Sequence, residues 1–449
     1  MDKPSLLRRP YAWLVELTEL GLLGLLSGSF AMAEDWPQWR GPRRDGSWNE
    51  DGILQSFPTN GLKISWRVPV GFGFSSPVVS HGRVFVSDLK LARPQVVMGV
   101  RCLDQASGKL QWSFWDDFKG GSFPDWAFVP GQEPAPHGTP VVDRDCLYVP
   151  GPMGQHFYCL SVASGEGVWK KNLAEEYHID PTTSLSASPL IEGRLVILAT
   201  GGQPDAGVIA LDKRSGKEIW RSVNEATAHS SPILIHSGGR RQLIVWTLQS
   251  VTSLDPKSGK VFWKERFVSP SSSVVSTPVF FRDLLLVNGL MFKLDSKEPA
   301  ARVLWPKSTA ATQRFPCSTS TPVLKDGYAY LPESSGKLVC KEIETGKVVW
   351  ETDQVTSTKG ANSCMHFANQ GGSELIFNDQ GDLIRARLGP EGYHEIGRVK
   401  LLEPSYSFSG RKLNWSAPAY SRGHVFARND REIVSASLEA RGKSARTRD

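Results

Sequence analysis

The strongest constraint in this chain is a repeated ten-residue phrase. Leu-Asp-x-x-Ser-Gly-Lys-x-x-Trp is complete from Leu103 to Trp112, from Leu211 to Trp220 and from Leu254 to Trp263. Looser copies run from Leu160 to Trp169 and from Lys341 to Trp350. A second phrase, Ser/Thr/Ala-Pro followed by apolar residues, recurs at Ser76-Pro77, Thr139-Pro140, Ser188-Pro189, Ser231-Pro232, Thr277-Pro278, Thr321-Pro322 and Ala417-Pro418. Counting a weak copy near His366, the period is about 49 residues, within the span of propeller blades. Such a unit cannot bury its apolar face alone and must stack on copies of itself.

Each unit reads as four short strands. In the third these are Pro189–Glu192, Leu195–Thr200, Val208–Asp212 and Glu218–Ser222, separated by Gly-bearing turns. Asp212 can accept N–H groups within the turn, and Gly216 can take the left-handed backbone that a tight hairpin requires. Trp220, four residues past that Gly, supplies a flat ring for packing against the next unit. The chain ends complete the count. The last unit has three strands, near Ala417–Tyr420, His424–Arg428 and Glu432–Leu438, while Lys63–Pro69 is a lone early strand carrying Trp66. Pairing them predicts an all-β, eight-bladed β-propeller of four-stranded blades with no open edge.

The first 33 residues have the form of a signal peptide. Lys3, Arg8 and Arg9 precede the apolar run Leu20–Phe30, and Ala31-Met32-Ala33 fits cleavage after Ala33. That run is short of the roughly 20 residues a bilayer span needs, and no cysteine follows the cleavage point. The expected product is periplasmic or secreted, not a lipoprotein and not membrane-spanning after cleavage. The expected organisation is a signal peptide (1–33), an N-terminal extension (34–61), the propeller (62–438) and a basic flexible tail (439–449). The net charge of +6 on 449 residues gathers on no motif, which argues against nucleic acid as a partner.

The phrase resembles the tryptophan-docking repeat of the pyrroloquinoline quinone (PQQ) dehydrogenases. It equally resembles their cofactor-free relatives, among them the propeller subunit of the outer-membrane β-barrel assembly machinery. The opening Asp35-Trp36-Pro37-Gln38-Trp39-Arg40-Gly41-Pro42 is similar to a segment preceding such propellers in exported bacterial proteins. The resemblance implies the fold and leaves activity open, because one repeat serves enzymes and scaffolds alike.

Cys102, Cys159 and Cys340 share one register, the place held by Ala210 and Ser253 elsewhere, and read as small buried residues in separate blades. Cys146, Cys317 and Cys364 have no repeat register; a bridge between Cys317 and Cys364 is conceivable. The chain lacks the adjacent cysteine pair of PQQ alcohol dehydrogenases. The residues just before the inner strands should line an axial funnel: Ser75, His137, Ser186, His229, Ser276, Ser320, His366, and Asn414 with Trp415. They suit a small polar ligand, or else satisfy backbone groups around a solvated channel. No local spacing supports a metal site. An insertion, Phe114–Pro136, carries Asp116, Asp117, Asp125 and Trp126 and suits a lid or docking surface.

If PQQ were bound, the resemblance would place Arg314, Lys359 and Arg411 (with Lys412 nearby) against its carboxylates, and Asn362 and Asn414 near a calcium ion. The inner ring offers no acid, and no nucleophile elbow, phosphate loop or zinc spacing occurs. The expected role is therefore a non-catalytic binding or scaffolding module in the cell envelope, working with an envelope protein partner or small polar ligand and no cofactor. The alternative is a PQQ- and calcium-dependent oxidoreductase; a hydrolase or lyase built on the funnel histidines is a third.

Overall fold

The computed structural model describes residues 34–92, 95–116, 136–151, 156–179, 186–269, 274–307, 314–357 and 362–440. The expected signal peptide lies outside them, as do Lys359 and most of the insertion and the tail. Eight antiparallel four-stranded sheets, among the described residues, form the ring. Blade 3 typifies them: Leu190–Glu192, Leu195–Gly202, Ala206–Asp212 and Glu218–Ser222, paired in sequence order from the axis outward. The inner strands of the other blades begin at Val78, Val141, Ile233, Val279, Val323, Met365 and Ala419.

Blade 8 closes the ring as expected. Ile64–Pro69 is its outer strand, pairing antiparallel with Glu432–Ser437, so the first strand of the propeller is hydrogen-bonded to the last. Closure removes the exposed edge that an incomplete blade would present.

The docking phrase has a steric explanation. Trp220 packs on the turn of the next blade and its indole Nε1 donates to Pro256 O at 3.2 Å. A Cβ on Gly259 would lie 2.6 Å from that ring, and Gly259 has φ +74°. Trp66 repeats the arrangement on Gly108, with its indole N–H on Gln105 O. Only glycine meets both demands. Asp212 accepts from Arg214 N, Ser215 N and Ser215 Oγ, which fixes the turn.

A β-bulge falls just before the docking Trp in each of these outer strands, a feature absent from the sequence reading. The pairing jumps from Ala210↔Trp220 to Leu211↔Glu218, leaving Ile219 as the extra residue. The same jump occurs beside Trp112, Trp169, Trp263 and Trp350. Residues directly opposite those tryptophans are Cys102, Cys159, Ser253 and Cys340, so the shared cysteine register is the small position facing the indole. All six cysteines are free thiols. The Cys364 thiol donates to Asn414 O, while the backbone N–H of Cys317 donates to Asn288 Oδ1.

Candidate functional site at the axial channel

The Ser/Thr-Pro phrase builds a hydroxyl girdle around the channel. The backbone N–H of Ser76 donates to Thr139 Oγ1, that of Thr139 to Ser188 Oγ, that of Ser188 to Ser231 Oγ, and that of Thr277 to Thr321 Oγ1, all at 3.0–3.1 Å. Each hydroxyl thus satisfies the equivalent N–H of the preceding blade, where a Pro follows and no ladder begins. The sequence-nominated serines adjoin this girdle and are buried: Ser75, Ser186, Ser276 and Ser320. Ser320 Oγ accepts from Met365 N. Ser75 and Ser276 bury hydroxyls without a partner among the described residues.

One end of the channel is closed by the N-terminal extension, here called the strap. Trp36 exchanges two 2.9 Å backbone bonds with Val79, and Val142 N donates to Pro37 O. Trp39 Nε1 reaches Thr277 Oγ1 at 2.9 Å, Arg44 Nη1 donates to Pro189 O at 2.7 Å, and Asn369 N donates to Gly46 O. Residues 36–46 therefore bond to blades 1, 2, 3, 5 and 7. Trp36 and Trp48 both pack on Tyr420 of blade 8, at ring-centroid separations of 5.3 and 5.2 Å. Glu50 anchors the strap where it leaves, accepting from Arg422 N and Gly423 N at 2.7 Å each. Beyond it Ala440 N donates to Gly52 O, so the first two residues of the expected tail pack on the strap. The sequence reading assigned no site role to this segment; the available signal was tryptophans outside the repeat register.

At the other end the funnel residues meet an aromatic cluster. His137 and His229 face each other with ring centroids 5.6 Å apart. Phe74 packs on His137 at 5.0 Å, on Trp415 at 5.2 Å and on Tyr406 at 4.8 Å. Tyr406–Phe408 and Arg411–Leu413 form a hairpin inserted before blade 8, which brings Tyr406 and Phe408 over Trp415. His366 sits apart from the pair. It lies inside the strand Met365–Gln370 rather than before it, because blade 7 lacks the Pro that delays pairing elsewhere. Its Nε2 meets Trp415 O at 2.8 Å and its ring meets Trp39 edge-on at 6.4 Å, linking the strap to the far cluster.

Surrounding protein makes these imidazoles hard to charge. Burial lowers His137 from 6.5 to about 3, aided by His229, and lowers His229 and His366 to about 4 each. At neutral pH the pair is uncharged and can donate or accept hydrogen bonds. Among the described residues no group of three or more His, Cys, Asp or Glu is arranged to hold a metal ion.

Of the residues nominated for a PQQ clamp, Arg411 and Arg314 have other partners, and Lys359 lies outside the described residues. Arg411 Nη2 lies 3.1 Å from Asp379 Oδ2 and 3.0 Å from Ser363 Oγ. Asp379 is buried, also accepts from Thr356 Oγ1, and was missed in the sequence reading; it follows a second strand, not an inner one. Arg314 stacks over Phe267 at 4.9 Å. Asn414 N donates to Asp379 O, and its Nδ2 is buried without a hydrogen-bond partner. Asp116, at the root of the insertion, is buried; it accepts from the Tyr158 hydroxyl and lies 3.1 Å from His156 Nδ1.

A family model described as "Outer membrane protein assembly factor BamB" matches residues 98–228 and 204–444. The chain belongs to this family of PQQ-like propellers. Curated relatives include outer membrane protein assembly factor BamB of Burkholderia pseudomallei, 24% identical over 47% of this chain and 54% of that one. The same-named protein of Bordetella pertussis is 24% identical over 51% and 52%. The chain thus spans about half the length of the curated relatives it matches. Among solved structures, quinohemoprotein alcohol dehydrogenase from Comamonas testosteroni superposes with TM-score 0.64 at 14% identity, covering 92% of this chain and 82% of that one. BamB from Moraxella catarrhalis gives 0.55 at 14% identity, covering 84% and 99%. At such identities these likenesses concern the fold. No helix among the described residues is long and apolar enough to cross a membrane.

Proposed function

We propose that this propeller is a protein-binding scaffold of the cell envelope, with no catalytic step of its own. The observation that carries this reading is a repeated apolar feature on the outer strands. One or two residues before a docking Trp, each of these strands exposes an aliphatic side chain: Ile64, Leu110, Val168, Ile219, Val261, and Val348 with Val349, all between 37% and 53% exposed. Scattered single apolar residues need no explanation, but these recur at one place around the ring. The neighbouring bulges interrupt the backbone ladder, so like propellers do not zip together edge to edge. A partner would be held through side chains. BamB-type relatives, named as assembly factors, favour an envelope protein as that partner.

The axial geometry speaks against the cofactor alternative. A planar tricarboxylate needs an open slot and free cations. Here Phe74, His137, Tyr406 and Trp415 pack ring on ring at 4.8–5.2 Å, and Arg411 is matched by Asp379. These residues do not fit PQQ with calcium.

The test has two arms. A photo-crosslinking residue at Val168 should capture one envelope protein in living cells, and Leu110→Lys with Val348→Lys added to that chain should abolish the adduct. Titration of the purified protein with PQQ plus calcium should leave absorbance and melting temperature unchanged. Cofactor uptake with dye-linked alcohol oxidation would replace this reading with the oxidoreductase one.

A further inference from the structure

The strap does more than close the channel: with the inner strands of blades 3, 4 and 5 it lines a partly open cavity of about 440 Å³. One wall is apolar, from Ile191, Ile233, Leu234 and Phe280, and the facing wall is cationic, from Arg40 and Arg44. That volume falls within the range of small-molecule sites, which are mostly apolar with a few placed polar groups.

The decisive feature is the buried charge of Arg44, which has no acidic counter-ion among the described residues. Arg43 and Arg241 also line the cavity, but they are matched by Glu34 and Glu192. Arg44 is only 9% exposed and makes no salt bridge among the described residues; its Nη atoms meet the carbonyls of Ser188 and Pro189, and Gln38 Oε1. Its Nε, like that of Arg40, is buried without a partner. Arg40 donates to the Asp45 carbonyl, and the nearby charges of Asp45 and Glu374 offset its burial only in part. Burying an unmatched guanidinium is costly. Burial pulls Arg44 down to about 9 and Arg40 to about 10, so both stay protonated at neutral pH. Losing the proton does not relieve the cost, and a mobile anion would.

We propose that this cavity binds a carboxylate carried on an apolar chain, its oxygens on Arg44 and Arg40 and its body on the wall of Ile191, Ile233, Leu234 and Phe280. An Arg fork matches the two oxygens of a carboxylate, and a single negative charge suits a site that already has Asp45 on its rim. The site lies at the strap end, away from the His137–His229 funnel, and is independent of the scaffold reading. Its failure would leave the crosslinking and PQQ results untouched.

The test titrates the purified protein with decanoate, decanol, and an acetylated trileucine as free acid and as amide, read by calorimetry and thermal shift. Decanoate should bind and raise the melting temperature, with decanol weaker by about tenfold or more. Arg44→Gln should lose about tenfold in decanoate affinity while its own melting temperature changes little. Tighter binding of the peptide acid than of decanoate identifies a chain terminus as the source; the reverse identifies a lipid; both support the site. If Arg44→Gln does not fold, Leu234→Glu places a carboxylate in the same cavity and should abolish binding in a folded protein. Equal binding of decanol and decanoate, no uptake of either acid at millimolar concentration, or full binding by Arg44→Gln or Leu234→Glu would overturn the proposal.

Discussion

The imidazoles of His137 and His229, 92 residues apart in sequence, face each other across the channel at a centroid distance of 5.6 Å. Neither can be charged cheaply, because protein surrounds both and each would repel the other.

This pair sets a pH dependence of stability. Their folded pKa values, about 3 and about 4, lie below the ordinary 6.5, as does that of His366 at about 4. The unfolded chain therefore binds more protons as pH falls through 6.5, and stability drops with it. It is fully present above pH 6.5 and declines toward 4, by about 1–2 kcal/mol per imidazole between pH 7 and 5. Asp116 and Glu225, held below the usual carboxylate range, add their losses only at more acidic pH. Urea midpoints at pH 7 and 5 should converge in His137→Asn/His229→Asn. An undiminished pH slope in that variant would assign the effect elsewhere.

Trp220 and Gly259 form one packing unit. Trp220 is 7% exposed, so Trp220→Ala should cost about 3–5 kcal/mol. Gly259→Ala should cost about 1–3 kcal/mol, because the new methyl meets the indole at a positive φ. The double variant should be less destabilised than the sum, since both remove the same contact. Additive losses in urea denaturation would show that the two residues act separately.

Ring closure depends on Ile64–Pro69. Removing residues 34–70 takes away the outer strand of blade 8 and bares Glu432–Ser437 as an open edge. The truncated protein should aggregate. Sedimentation showing a monomer with unchanged melting temperature would contradict the pairing.

How much of this was legible beforehand follows from what repeats. The Asp212–Gly216–Trp220 spacing and the orphan strand of Trp66 announced eight closed blades, because each residue performs a job that recurs in neighbouring units. The Ser/Thr before each Pro was equally visible, but its purpose, a girdle running from blade to blade, needs the three-dimensional neighbour. The common offset of His137 and His229 from the inner-strand Pro was readable, but not that their rings meet at 5.6 Å. Asp379, Arg44 and the strap were not, since nothing periodic marks a residue that acts once. His366 drifted by one register because blade 7 lost its Pro.

Thiol chemistry should follow the blade register. Cys102, Cys159 and Cys340 face indoles in blades 1, 2 and 6, so no two are near enough to bridge. Burial raises Cys102 to about 12 and Cys340 to about 11, which leaves little thiolate to react. All three should resist alkylation in the folded protein and label fully in urea. Peptide mapping that finds a bridge between any two would break the alignment of the repeats.

The strap's hold on the propeller concentrates at Glu50. Its carboxylate is 8% exposed and accepts three backbone N–H groups, from Glu34, Arg422 and Gly423, at 2.7–3.0 Å. The last two belong to the turn between the first two strands of blade 8, where Arg422 has φ +50°. Hydrogen bonds to a charged acceptor are among the stronger ones, so Glu50→Ala should cost about 2–3 kcal/mol and leave the Arg422 and Gly423 amides without an acceptor. Glu50→Gln keeps one accepting oxygen and should lose about half as much. Hydrogen exchange at Arg422 and Gly423 is the direct readout: both amides should lose protection in Glu50→Ala before the rest of blade 8 does. Because the strap carries Trp39 and Arg44, its release should also quench the contact with Thr277 and open the channel from that end. If exchange at those two amides is unchanged, Glu50 does not hold the strap.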